Sequence, residues 1–421
     1  MTLESLQRAA SSAQSSQNRA TTTPPANLQS RGLARTLTAA PGYVLNPDGY
    51  PAAILTTGQI QKAITWYQNN AALYTPRVIT AVQQRLNLSA TGKVDLGFVK
   101  AVARWQATYD LEDSSNRLIP LRSGKAISAY PATGVLTAEQ LSKLFPAGLA
   151  SDKNVRAFAS SALDISRRWR SLGSQEKRRQ AVYRLLQTTL AIAGVYEPTF
   201  VLKLMDEATR GTFSATAWTL TVNSDFFHQK EATEQQIQSF LLTLFHEARH
   251  ADQLFTALRY LAGLGRTAKQ IAAETKLDST SKPVLAALQK PVAPDSPLGI
   301  VAQEWYHSYF GKNRGHRQTT LHNMNLGPII AANERELRKQ TAAQQVVTSA
   351  LKTATGSRRD VLNREKERLD TLIGFLQGKL NEQRPNYARA ERDYRLLPEE
   401  RDAWDTAMNA AKFVYNPEYL K

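Results

Sequence analysis

The sequence predicts a mainly α fold with a minor β component (α+β), and three observations predict it. Apolar residues recur at three- and four-residue spacing over most of the chain from Ile60 onward. The period changes to two only between Thr199 and Phe227, where Phe200 to Met205 and then Trp218, Leu220 and Val222 read as two strands of a β-hairpin. Residues 1 to 55 follow neither pattern.

Composition narrows the function classes. The chain has 421 residues and a hydrophobic fraction of 42%, enough for two or three domains with real cores. No run reaches the roughly 18 uninterrupted apolar residues that a membrane span requires. The first twenty residues, Ser, Ala, Gln and Thr around Glu4, Arg8 and Arg19, contain no apolar h-region. No secretory signal is therefore expected. There is no cysteine, so disulfides, thiolate catalysis and Cys-type zinc sites are excluded. Any transition metal must be held by carboxylates and by the six histidines, His228, His246, His250, His307, His316 and His322. A net charge of +17 would attract a polyanion, whether nucleic acid, anionic lipid, cell-wall polymer or an acidic protein surface. The basic residues are spread along the chain, which fits plain solubility equally well.

Residues 1–55 read as a disordered arm, a linker or a recognition tag. Ala9 to Pro25 is polar and low in complexity, and Pro41-Gly42 and Pro47-Asp48-Gly49 are turn signals. Residues 56–148 read as a small helical domain. Ile60, Ala63, Ile64 and Tyr67 begin it, and the unit "Thr-Gly, then a helix start" occurs twice, at Thr91-Gly92 and Thr133-Gly134. Val82, Gln83, Leu86, Thr91-Gly92, Asp95, Trp105-Gln106, Gly134 and Thr137 match the pattern of the peptidoglycan-binding-like three-helix module, which this stretch resembles. The register at Gln83 is ambiguous by one, because Gln84 follows it. The resemblance implies wall binding or a docking role.

From Val155 the chain is again helical, with Arg167-Arg168, Arg170 and Lys177-Arg178-Arg179 expected on a solvated face. Thr233, with Gln236 three residues on, is a capping box for the next helix. Ile237, Phe240, Leu241, Leu244, Ala248, Ala251, Leu254, Phe255 and Leu258 form its apolar stripe. This helix carries His246-Glu247-Ala248-Arg249-His250, an HExxH motif. Imidazoles at i and i+4 share a face and can grip one Zn²⁺ through nitrogens about 2.0–2.1 Å away. Glu247 beside them is the expected general base toward an attacking water, and then the proton donor to a leaving amine. Trp218 to Val222 is the expected edge strand for pairing with an extended substrate.

A catalytic zinc has three protein ligands and one open position. Gln253 and Thr256 stand where the metzincin extension would place its glycine and third histidine, so the third ligand must come from later in the chain. Glu400 is the preferred candidate. It follows Pro398 and projects into the stripe Ala403, Trp404, Ala407, Met408, Ala411 and Val414, whereas Glu399 falls off that stripe. Glu304 and His307 are the alternatives. Tyr306, His307, Tyr309 and Tyr394 are candidates for oxyanion stabilisation.

His246 to Gln253, with the distant Glu400-Arg401-Asp402-Ala403, resembles the gluzincin-type metallopeptidases, in which a Glu on a later helix completes the zinc site. The resemblance covers about residues 190–408. It implies a zincin-like domain at 155–421, with a helical insertion at about 265–390 that is either scaffold or a lid. The chain also resembles cargo or toxin proteins associated with bacterial contractile injection systems. That likeness implies a protein that is cytoplasmic when made and delivered outward or into a target cell by a specialised secretion or injection system. The implied partners are a protein or peptide substrate, and peptidoglycan or an injection-system component at the N-terminal regions. The competing expectation is a non-enzymatic peptidoglycan-binding or structural cargo protein with a degenerate zinc site. Gly265 to Leu277 reads as half of a helix-turn-helix, but Pro283 interrupts the would-be recognition helix, so nucleic acid is not an expected partner.

Overall fold

The computed structural model describes residues 43–45, 51–53, 55–114, 132–205 and 209–420. Most of the expected N-terminal arm and residues 115–131 lie outside the described residues. Within residues 1–55, strands β1 (Tyr43–Leu45) and β2 (Pro51–Ala53) pair antiparallel. The described chain is mainly helical with one three-stranded sheet, as its periodicity predicts. It divides into two compact units, Met1–Tyr306 with Asp402–Lys421, and His307–Arg401.

The first unit opens with helices α1 (Thr57–Asn69), α2 (Pro76–Arg85), α3 (Leu96–Ser114) and α4 (Ala138–Leu144). Its two Thr-Gly turns are built alike, each around a buried glutamine. Gln83 Nε2 donates to Thr91 Oγ1 and to Lys93 O, both at 2.9 Å, and its Oε1 accepts the Gly92 N–H at 2.9 Å. Gln106 Nε2 donates to Val135 O at 2.8 Å, and its Oε1 accepts the N–H groups of Thr133 and Gly134. A buried amide that satisfies turn backbone at both ends has to be in register. This selects Gln83, which is buried, over Gln84, which is exposed.

Helices α5 (Asp152–Arg168) and α6 (Gln175–Ile192) follow. Their basic residues mostly occupy the solvated face expected of them. Arg167, Arg168, Arg170 and Arg179 form exposed ion pairs with Glu234, Asp164, Glu231 and Glu176. Arg178 departs from this: it is buried, lies over the Trp169 ring and donates from Nε to Phe227 O at 2.9 Å.

The sheet differs from the expected hairpin. Strands β3 (Thr199–Lys203), β4 (Gly211–Ser214) and β5 (Thr219–Asn223) lie in the order β3-β5-β4. The two predicted strands exist, but they pair parallel, Thr199 opposite Thr219 and Lys203 opposite Asn223. The hairpin is formed by β4 and β5, antiparallel, with Phe213 opposite Leu220. Trp218 is in the turn before β5 with φ 50°, and β5 is central. Trp218 to Val222 therefore cannot be the edge that pairs with substrate; the edges are β3 and β4.

Helix α7 (Glu234–Gly263) carries the HExxH motif behind the predicted cap: Thr233 Oγ1 accepts the Gln236 N–H at 3.2 Å, and Gln236 Oε1 accepts the Thr233 N–H at 2.8 Å. All nine predicted stripe residues are buried. So are Leu242, Phe245 and Gln253 on other faces, which makes α7 a core helix covered around most of its circumference. Helices α8 (Ala268–Thr275), α9 (Lys282–Gln289) and α10 (Pro297–Tyr309) complete the central part of the chain, with Pro283 in the first turn of α9.

The second unit contains α11 (Arg314–Met324) and the long pair α12 (Leu326–Leu351) and α13 (Gly356–Leu396), separated by a break just before Gly356. Leu369, Ile373, Leu376 and Leu380 form the buried seam. Val346, Val361 and Phe375, also apolar, are exposed. The last helix, α14 (Pro398–Tyr415), starts in the second unit and belongs to the first from Asp402 onward.

The loop Ala147–Leu149 joins the N-terminal helices to α7. Leu149 N–H donates to Asp252 Oδ2 at 2.7 Å, and Arg249 Nη1 donates to Ala147 O at 2.9 Å. Gly148 between them has φ 58°, and a methyl group there would lie 2.2 Å from Asp252 Oδ2. A side chain in left-handed backbone costs about 1–2 kcal/mol before any clash. Gly148→Ala is expected to lower stability by about 2 kcal/mol or more in urea unfolding followed by circular dichroism. An unchanged midpoint would mean that the loop does not bear on α7.

Candidate metal centre

His246 and His250 lie one turn apart on α7, and both are buried. Their Nε2 atoms are 3.1 Å apart. Two nitrogens at that separation can each stand at a zinc–nitrogen bond length, about 2.0–2.1 Å, from one ion. Glu400, on the first turn of α14, is also buried. His246, His250 and Glu400 each offer a ligand atom, and all of these lie within 4.8 Å of one another. Among the described residues this is the one cluster of three or more His, Asp or Glu side chains able to hold a metal ion. Two imidazoles and a carboxylate are a donor set suited to zinc. The group is able to bind a metal ion.

Glu304 and His307 are not members of that cluster. Glu304 is half-buried and its charge acts on Tyr74, whose phenol is pushed up by burial first and by Glu304 second. Tyr306 donates to Glu274 Oε2 at 2.8 Å; burial and then that carboxylate push its pKa up to about 12. In the second unit, burial and then Lys312 lower the His307 pKa. Tyr309 lies under the Arg317 guanidinium, 4.7 Å from its ring centre. Arg317 Nε donates to Glu399 Oε1 at 2.6 Å, so Glu399 is buried in an ion pair and not off the covered face as the helical wheel placed it. Tyr394 is half-buried near the end of α13.

Glu247 is half-buried, and its Oε2 accepts the Phe213 N–H of β4 at 2.9 Å. Asn223 N–H donates to Arg210 O at 3.0 Å, which fixes the hydrogen-bonding alternation of the antiparallel pair. Thr212 and Ser214 consequently turn their backbone groups toward β5, and Gly211 and Phe213 turn theirs outward. The outer edge of β4 thus faces the motif glutamate. The Trp404 ring lies 4.3 Å from that of His246.

Around the histidines lies a buried polar network that motif reading does not assign. Arg249 Nε donates to Asp402 Oδ2 at 2.8 Å, and Arg249 Nη1 pairs with Asp252 Oδ2. Gln253 Nε2 donates to the same Asp402 Oδ2 at 2.8 Å, and Gln253 Oε1 lies 3.0 Å from His250 Nδ1. Lys143 Nζ donates to Asp405 Oδ2 at 2.5 Å. Burial alone would lower the Arg249 pKa, and Asp402 and Asp252 reverse that. The two aspartates respond in opposite ways. Burial pushes Asp252 above the ordinary carboxylate value, and Arg249 offsets this only in part. Burial also acts on Asp402, but Arg249 and Lys143 outweigh it and hold the carboxyl low. The signal for these residues was present in the sequence, since Arg249, Asp252 and Gln253 are neighbours at helical spacing and Asp402 sits two residues after Glu400.

No known protein family, curated protein or solved structure matches this chain.

A group whose folded pKa is depressed contributes stability above its unfolded value, about 3.9 for aspartate, and loses that contribution as pH falls through the folded value. Asp402 is such a group. Asp402→Asn is therefore expected to cost more stability at pH 7 than Asp252→Asn, and to flatten the loss of stability below about pH 4. Urea unfolding of both variants as a function of pH measures this, and a larger loss for Asp252→Asn would reverse the assignment.

Proposed function

We propose that the chain is a zinc-dependent metallopeptidase that hydrolyses a protein or peptide substrate. The observation that carries the reading is the buried group of His246, His250 and Glu400, with Glu247 next to it on the motif helix and against a strand edge. In this reading His246 Nε2, His250 Nε2 and a Glu400 carboxylate oxygen hold the metal. A zinc ion held there would supply Lewis acidity and a water of lowered pKa.

The remaining work falls to the chain. Glu247 takes the proton of the attacking water and returns it to the leaving amine. The Phe213 N–H orients its carboxylate. The outward backbone groups of Gly211 and Phe213 pair with an extended substrate segment. The N-terminal helices, with their paired glutamine-held turns, are the surface for peptidoglycan or an injection-system component, and the whole is a delivered bacterial effector.

Two measurements on the purified full chain test this. Wild type is expected to hold close to one zinc per chain by mass spectrometry, and His246→Ala to lose it. Glu247→Gln is expected to retain zinc while hydrolysis of a mixed peptide library falls about a hundredfold to ten-thousandfold, the contribution of a general base. Absence of zinc from wild type, with both substitutions silent, would overturn the reading and favour a non-enzymatic cargo.

A further inference from the structure

We infer that Gln253 is a positioning residue that fixes the tautomer of His250, leaving His250 Nε2 as a lone-pair donor before any metal arrives. The inference rests on the metal-site reading above, but on contacts that lie within the first unit alone.

The chain of reasoning starts at Asp402. Its Oδ2 accepts from Arg249 Nε at 2.8 Å, and a carboxylate in an ion pair has no hydrogen to offer. The end of the Gln253 amide facing it, 2.8 Å away, must therefore be the NH₂. The other end of the amide is the oxygen, which only accepts. It lies 3.0 Å from His250 Nδ1, so that nitrogen must carry the hydrogen. In a neutral imidazole the second nitrogen then holds a lone pair. His250 Nε2 presents that lone pair to His246 Nε2, 3.1 Å away. For the two rings to make a hydrogen bond without a metal, the hydrogen must stand on His246 Nε2.

The two histidines thus differ. His250 is set for ligation by a relay that runs Asp402, Gln253, His250, whereas His246 has to move its hydrogen from Nε2 to Nδ1 before it can ligate. Orientation of a ligating histidine through its second nitrogen is a general way to raise metal affinity. Here an amide is interposed between carboxylate and imidazole, and because one carboxylate receives both Arg249 and Gln253, the direction of the amide is chemically determined. Gln253 is fully buried, so solvent does not compete for either end.

The test uses the metal-free full chain with ¹⁵N-labelled histidine, at a pH where imidazole is neutral, read by long-range ¹H–¹⁵N spectra. His246→Gln and His250→Gln assign the signals. His250 is expected to show a protonated Nδ1 and a bare Nε2, with His246 the reverse. Addition of zinc is expected to switch the His246 pattern and leave that of His250 in place. Gln253→Met keeps the side-chain length without the amide. It is expected to mix the His250 tautomers and to weaken zinc, measured by chelator competition, about 10–100-fold, with an unchanged circular dichroism spectrum. A wild-type His250 protonated at Nε2 would overturn the inference, whatever Gln253→Met does. So would a Gln253→Met protein with the same tautomer and the same zinc affinity. If wild type shows the expected tautomers but binds no zinc, the positioning role stands and the metallopeptidase reading fails.

Discussion

The buried ion pair between Arg249 and Asp402 is the interaction on which the centre depends. Both residues are almost wholly inaccessible, and two charges removed from water cost several kcal/mol each unless their geometry and remaining hydrogen bonds are satisfied. Here they are. Asp402 Oδ2 receives Arg249 and Gln253, and Arg249 also reaches Asp252 and the Ala147 carbonyl. Removing one partner would strand the others, so the cluster behaves as a unit. Through it the motif helix α7, the terminal helix α14 and the loop after α4 are held in one arrangement.

The same logic gives each position of the motif segment a role. His246 and His250 converge at Nε2. Glu247 turns instead to the Phe213 N–H of the edge strand. Arg249, Asp252 and Gln253 spend their polar atoms inside the protein. A helix covered on nearly every side can bury Arg249, Asp252 and Gln253 because each of the three has hydrogen-bond partners. Polar residues on α7 therefore specify its rotation and depth more sharply than its apolar stripe does.

Much of this was legible in the sequence where the signal is local. The Thr233–Gln236 cap, the apolar stripe of α7 and the inward projection of Glu400 follow from helical periodicity, and all three are present. The paired Thr-Gly turns were visible as a repeat, although which glutamine served the first turn became clear only from the Gln83 amide. The failures concern contacts distant in sequence. Two strands in succession suggested a hairpin, but β4, four residues long, takes the antiparallel place and forces β3 to pair parallel with β5. Glu399 falls off the apolar stripe of its own helix, and what buries it is an ion pair with Arg317, 82 residues away. Arg249 fell on the variable positions of the motif, where its spacing to Asp252 marks a local pair but not the contact with Asp402, 153 residues away. Val346, Val361 and Phe375 show the converse, since apolar residues on a long helix are buried only where the neighbouring helix happens to cover them.

The central claim is that His246, His250 and Glu400 together hold one metal ion, and X-ray absorption spectroscopy of the zinc-loaded protein tests it most directly. The account predicts a four-coordinate zinc with nitrogen and oxygen neighbours at about 2.0–2.1 Å and the outer-shell scattering of two imidazoles, reduced to one imidazole in His250→Gln. A zinc environment without imidazole scattering, or one indifferent to that substitution, would contradict it.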